Sequence, residues 1–174
     1  MREGVQIRVR PAEEADASAA AALHVRAWQA AYRGQIPDAV LDALETSGRE
    51  RVWREIVQRQ RHGAEVATLA EVLVGFCELV PSRDVGAPGD VAEISMIYVD
   101  PAHWGLGAGR ALLESSSERA LRLGYRALTL WVLATNTSAQ QFYQRLGFAP
   151  DGASKTLERP TYFMHEVRYR RPLT

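Results

Sequence analysis

Residues 104–112 read Trp-Gly-Leu-Gly-Ala-Gly-Arg-Ala-Leu, with glycines at 105, 107 and 109 directly before an apolar-periodic helical stretch. Alternate glycines remove the side chains that hold a ligand off the backbone. Several N–H groups can then converge on one cluster of anionic oxygens, and the positive end of the helix behind them adds to the attraction. A plain turn needs a single glycine for its dihedral, whereas three at this spacing point to a bound polyanion. What the motif lacks narrows the choice. A nucleoside triphosphate loop continues Gly-Lys-Ser or Gly-Lys-Thr, but Gly109 is followed by Arg110-Ala111-Leu112. A dinucleotide fingerprint needs glycine at 110 and an acidic residue closing a second strand about twenty residues on, and the chain supplies neither.

A second stretch, Asn136-Thr-Ser-Ala-Gln-Gln-Phe-Tyr-Gln-Arg-Leu-Gly-Phe148, follows after one helix and one strand. Together the two resemble the GNAT superfamily of N-acetyltransferases. The first is similar to the acyl-CoA pyrophosphate loop Arg-Gly-x-Gly-x-Gly-Arg-Ala-Leu, the second to the Asn…Ala…Phe-Tyr-x-x-Leu-Gly-Phe pattern that closes the cofactor site. The resemblance spans about residues 5–170 and is strongest over 91–148. Trp104 departs from it, standing where many members carry arginine or glutamine. Because backbone N–H groups hold the phosphates, binding is expected to survive, with the indole packing on the cofactor or the helix. The resemblance implies one domain over 1–174 with an α+β fold: a mixed, largely antiparallel sheet of about seven strands, about four flanking helices, and a parallel strand pair at the cofactor site. It also implies acetyl-CoA as co-substrate without a metal, and a primary amine of a small molecule or peptide as acceptor.

Acyl transfer from a thioester to an amine needs a neutral amine, a stabilised oxyanion and a protonated leaving thiolate. An alkylammonium titrates near about 10.4 and cannot attack, so a carboxylate must take its proton, directly or through water. Glu93, acidic in mid-strand among Ala92, Ile94 and Met96 where family members often place such a glutamate, is the expected acceptor; a surface charge on an edge strand is the competing account. Tyr143 matches the position from which the family commonly donates to the departing sulfur, and it also suits packing on Phe142 and Leu146. The backbone of Ile97, Tyr98 and Val99 is expected to pair with the pantetheine amides like an added strand and to offer one N–H to the oxyanion. Trp104, Gly105, Leu106, Gly107, Ala108, Gly109 and Arg110 are expected around the pyrophosphate, and Asn136 on the pantetheine arm. Trp28 and Tyr32, one turn apart on the first helix, are candidate acceptor walls, joined by Tyr162 and, with a weaker claim, His165. A non-catalytic acyl-CoA-binding module is the alternative; Glu93 and Tyr143 favour the enzyme. No residue singles out which amine is the acceptor.

The elements that must hold these residues follow from periodicity. A strand is expected at about 5–10, then a helix from a cap at Asp16 to about 32, stopped by Gly34. A helical region from Pro37 to about Gln60, broken near Ser47-Gly48, comes next. Strands at 65–69 and 72–80 lack Gly or Asn in their turn, and the loop 81–89 is dense in turn formers. Strand 91–99, helix 108–123 and strand 127–132 form a crossover, which requires a parallel pair. Thr137-Ser-Ala-Gln140 reads as a capping box opening a short helix ended by Gly147, and strands near 148–158 and 161–170 close the chain. The C-terminal strand offers an edge for pairing across a homodimer.

With 174 residues and 47% apolar content, the chain suits one domain with a real core. Its 21 basic and 21 acidic residues cancel, so no global field draws it to nucleic acid or an anionic membrane. The N-terminal segment alternates charge with aliphatic residues and has no apolar h-region, no run approaches the roughly 20 apolar residues of a membrane span, and Cys77 is alone, so the cytoplasm is the expected compartment. His24, His62 and His103 show no ligand spacing with one another or with Cys77.

Overall fold

The computed structural model describes residues 6–58 and 63–174; Val5, Gln60 and His62 lie outside the described residues. The strands are β1 (Ile7–Pro11), β2 (Ala64–Leu69), β3 (Val72–Pro81), β4 (Val91–Val99), β5 (Ala127–Leu133), β6 (Ala149–Arg159) and β7 (Tyr162–Pro172). They form one seven-stranded sheet in the order β1-β2-β3-β4-β5-β7-β6. Every neighbouring pair is antiparallel except β4 and β5, whose parallel pairing is what the crossover through a helix demands. The helices are α1 (Ala17–Ala31), α2 (Asp38–Asp42), α3 (Thr46–Val57), α4 (Ala108–Arg122) and α5 (Thr137–Arg145). β7 is paired on both sides, by β5 and β6, so the free edge at this end belongs to β6 and not to the C-terminal strand.

Three local expectations are corrected. The break in the second helical region falls at 43–45, ahead of Ser47 and Gly48, which sit inside the first turn of α3. Asp16 stands at the N-cap of α1 without capping it: its carboxylate accepts a forked pair of bonds from Arg10 at 2.7 and 2.8 Å and one from the Glu13 N–H. The α5 cap is Asn136, one residue before the expected Thr137, and its side chain accepts from the Ala139 N–H at 3.1 Å. The β2–β3 hairpin turns through Ala70 and Glu71 at φ +48° and +65°. The turn is therefore made in the left-handed region by two residues that are poor formers of it, which is why no turn signal marks it.

Apolar residues divide between the two sheet faces. On one, α4 and α5 pack over Leu79, Ala92, Ile94, Leu128 and Leu130 through Leu112, Leu113 and Tyr143. On the other, α1 and α3 cover Val66 and Phe76 with Leu23, Trp53 and Ile56. A third, smaller cluster joins Ile36 and Leu41 around α2 to Leu133 and Met164 at the ends of β5 and β7. Gly75 on β3 permits the α4 contact: a Cβ there would meet the Tyr98 carbonyl oxygen at 3.1 Å and Leu112 Cδ1 at 3.2 Å. No helix among the described residues is long and apolar enough to cross a membrane.

Candidate active site

β4 and β5 hold together only from Val91↔Ala127 to Ile94↔Leu130. Beyond that point β4 runs on to Val99 and β5 to Leu133, yet the two no longer pair. The cause lies in β4: its register with β3 passes from Leu79↔Ile94 to Glu78↔Met96, leaving Ser95 as an extra, bulged residue that bends the strand. The parted strands open a cleft of about 760 Å3, walled by β4 from Ile94 to Val99, β5 from Leu130 to Val132, the start of α4, the C-terminal half of α1 and α5. Backbone groups on the β5-facing edge of β4 therefore border a cavity, as strand-like pairing with an extended ligand requires.

One end of the cleft is formed by the glycine-rich loop and the start of α4. Gly105 and Gly107 have φ +78° and +95°, and a Cβ on either would meet nothing within 4 Å, so both glycines are there for backbone conformation and open approach. Gly107 is the N-cap of α4, whose first N–H groups point into this end. Gly109 serves packing instead, since its Cβ would lie 3.0 Å from Phe142 Cζ; the missing side chain lets α5 close on α4. Ala108, Arg110 and Arg145 also line the wall, with Arg110 beside Glu114 at 3.6 Å. Trp104 lines the cleft half-exposed, its indole N–H donating to the Val99 carbonyl at 2.9 Å. Leu106 is exposed and stands off the wall. Asn136 caps α5 and borders the cleft at once; capping uses its oxygen and leaves the amide N–H groups for the cavity.

The other end is aromatic. Tyr32, Tyr98, Trp131 and Tyr143 line the cleft here, and Ile97 and Val99 line it along the β4 edge. The Tyr32 and Tyr98 hydroxyls lie 3.2 Å apart, and burial raises the pKa of Tyr32, Tyr98 and Tyr143 above the usual phenol value. All three are neutral donors at any working pH. Trp28 packs edge-to-face on Tyr32 at 5.0 Å and carries the Arg49 guanidinium at 4.9 Å over its ring. Trp28 and Tyr162 join Tyr32 in the cluster around α2, behind the cleft wall rather than on it. His165 is exposed and bonded to Thr156 on the edge strand, away from this wall.

Glu93 lies on neither the cleft wall nor the protein surface. It is 2% exposed in mid-sheet, and its carboxylate is held by the Arg83 guanidinium and, at 3.1 Å, by the Arg83 N–H. No local signal marks this partner, which comes from the loop after β3. Sequence reasoning also passed over Ser95 and Trp131, both on the wall; only the bulge and the strand divergence bring them there. Cys77 is fully buried, its thiol pushed up to about 12 by burial, so it is unsuited to nucleophilic work.

Comparison with known proteins agrees with this geometry. The acetyltransferase (GNAT) family model matches residues 22–148. The chain belongs to the GNAT family of N-acetyltransferases. It is 32% identical over 139 residues to the uncharacterized N-acetyltransferase YuaI of Bacillus subtilis, covering 79% of this chain and 78% of that protein. A shorter match, 48% identical over 59 residues, reaches the uncharacterized N-acetyltransferase MJ1207 of Methanocaldococcus jannaschii and covers 34% of this chain and 26% of that longer protein. The fold is that of the PaiA N-acetyltransferase of Thermoplasma acidophilum, solved in complex with coenzyme A: TM-score 0.79, 16% identity, 96% of this chain and 99% of that one.

Proposed function

We propose that the protein transfers an acetyl group from acetyl-CoA to a primary amine by direct attack in a ternary complex. The observation that carries this reading is the coincidence, in one cleft, of a two-glycine helix N-terminus and an unpaired β4 edge. The first suits a pyrophosphate and the second the amides of a pantetheine arm, and the cleft volume of about 760 Å3 leaves room for an acceptor where β4 and β5 part. In this reading the loop 104–110 holds the phosphates, Ile97 to Val99 pair with the arm and supply an oxyanion N–H, and Asn136 donates to the arm or to a water.

Tyr143 faces the departing sulfur. Burial holds its pKa above that of a thiol, so it donates a hydrogen bond to the developing thiolate and keeps its proton; the proton that ends on sulfur comes from the acylated nitrogen. Tyr32, backed by Trp28 and Tyr162, walls the acceptor end and favours an acceptor with an apolar or aromatic stem. Glu93, its carboxylate held by Arg83 and off the cleft wall, anchors the loop after β3. Acetyl-CoA titration followed by thiol release over an amine and peptide panel tests the reading. Amine-dependent release supports it, and tight binding without release supports the non-catalytic acyl-CoA module instead.

A further inference from the structure

A second, smaller cavity of about 180 Å3 opens beside the loop that follows β3. The charged residues among those that line it are Asp84, Arg168 and Arg170. Asp84 is fully engaged: one carboxylate oxygen accepts from the Trp131 indole N–H at 3.1 Å and the other from the Arg168 guanidinium at 2.8 Å. Arg168 also donates to Asp151 at 2.8 Å. Arg170 is half-buried, and among the described residues it has neither a hydrogen bond nor an ion pair. The wall therefore carries one guanidinium without a counter-ion of its own, a planar fork of donors that a carboxylate meets with two parallel bonds. Ser82 adds a further donor, since its hydroxyl accepts from the Asp84 N–H at 3.4 Å and keeps its own proton free among the described residues.

This cavity lies against the cleft. Leu128 and Leu130 pack under α4 and α5, so Thr129 and Trp131 project from the opposite sheet face. Arg170 and Arg168 stand beside them on β7, in the register Thr129↔Arg170 and Trp131↔Arg168. Thr129 lines the small cavity and Trp131 lines the cleft, while the Arg168 guanidinium lies 5.6 Å from the centre of the Trp131 ring. Trp131 is also the first β5 residue past the last parallel pair, Ile94↔Leu130, so it stands where the strands part. The two cavities thus adjoin at one side chain, on the face away from α4 and α5. Among the described residues the cleft wall has no carboxylate to repel an anion.

We infer that the small cavity is an anion subsite for the acceptor: the amine stands where β4 and β5 part, and a carboxylate carried by the same molecule pairs with Arg170. The inference rests on the acetyltransferase reading and adds the substrate class, an amine that bears a carboxylate. Thr129 and Trp131 are two residues apart, about 7 Å along the strand, which sets the least separation between nitrogen and carboxylate. An α-amino acid is too short to reach both points. An ω-amino acid or a short peptide spans them, with its stem along Trp131. Arg170 touches the acceptor far from the reacting atoms, so it acts on KM and not on kcat.

The test compares straight-chain ω-amino acids of increasing length, as acceptors, with their carboxamides. In wild type the acid should be favoured over its carboxamide by about 10- to 100-fold in kcat/KM once the chain is long enough, the size of a hydrogen bond to a charged group. High salt should shrink that preference. Arg170→Gln strands no ion-pair partner, so folding is not at risk; it should raise KM for the acid to that of the carboxamide, with kcat and the acetyl-CoA dissociation constant held within about twofold. Arg170→Lys, which keeps the charge and loses the fork, should retain part of the preference. Equal kcat/KM for acid and carboxamide at every length, or an acid preference unchanged in Arg170→Gln, overturns the subsite and leaves the acetyltransferase reading intact. Binding of inorganic phosphate that Arg170→Gln abolishes, in a protein without acid preference, overturns it in favour of a site for a free anion. A wild-type protein that acetylates no amine overturns the acetyltransferase reading and the subsite with it.

Discussion

Replacing Gly107 by Glu puts the anion-binding assignment at greatest risk. Gly107 sits at φ +95°, so any L-residue there carries strain, on the order of 1–2 kcal/mol in the folded protein. For a chain of this length that strain lowers Tm by roughly 2–8 °C. No atom lies within 4 Å of the added Cβ, so the side chain has space and fold loss is not expected. In the cleft, however, the new carboxylate competes for the N–H groups at the start of α4. At a separation of about 4 Å and an effective dielectric near 20, its repulsion of a phosphate charge is roughly 4 kcal/mol, nearly a thousandfold in Kd. Gly107→Gln has the same strain and bulk without the charge and separates the two effects. Calorimetry with acetyl-CoA should show Gly107→Glu binding at least a hundredfold more weakly than Gly107→Gln, with the gap narrowing in high salt. A folded Gly107→Glu protein with wild-type affinity would refute the pyrophosphate assignment.

Tyr143→Phe should depress kcat across neutral pH with acetyl-CoA affinity nearly retained, since the phenol is neutral throughout; a loss that disappears at high pH would assign Tyr143 to proton uptake from the amine instead. Trp28→Ala removes a half-buried ring that backs Tyr32, so a stability loss of about 2–3 kcal/mol together with a changed amine preference is expected; a melting shift with unchanged preference would confine Trp28 to packing. His24, buried against Tyr98 and Phe76, has its pKa lowered from 6.5 to about 3 by burial and then by Arg49. The unfolded chain binds this proton below about pH 6.5 and the folded one does not. Stability should therefore fall as pH drops from about 6.5 to about 3, by up to roughly 1.4 kcal/mol per pH unit from this group. His24→Gln should flatten that slope in denaturant titrations, and an unchanged slope would contradict the buried neutral imidazole.

The glycine-loop end of the cleft was legible because its determinants are local. Gly105 and Gly107 are needed for their own dihedrals, and α4 follows immediately in the chain. The parallel β4–β5 pair was legible because a strand–helix–strand order permits little else. The aromatic end was less so. Glu93 had the right residue type on the right strand, but its environment is set by Arg83, ten residues away across a loop, and by the strand register, neither of which periodicity encodes. Ser95 became visible only once the bulge was known, because a single serine in an apolar strand carries no signal. The Ala70-Glu71 turn and the unused cap at Asp16 share one cause: a tertiary partner or hairpin register overrode the local preference.

Whether the acetyl group passes straight to an amine is decided by incubating wild-type protein with acetyl-CoA and the amine and peptide panel, measuring free thiol and acetylated product together. Direct transfer predicts amine-dependent thiol release with one acetamide formed per thiol and no acetyl group left on the protein. Saturable acetyl-CoA binding with no amine-dependent release, or an acetylated protein intermediate, would contradict it.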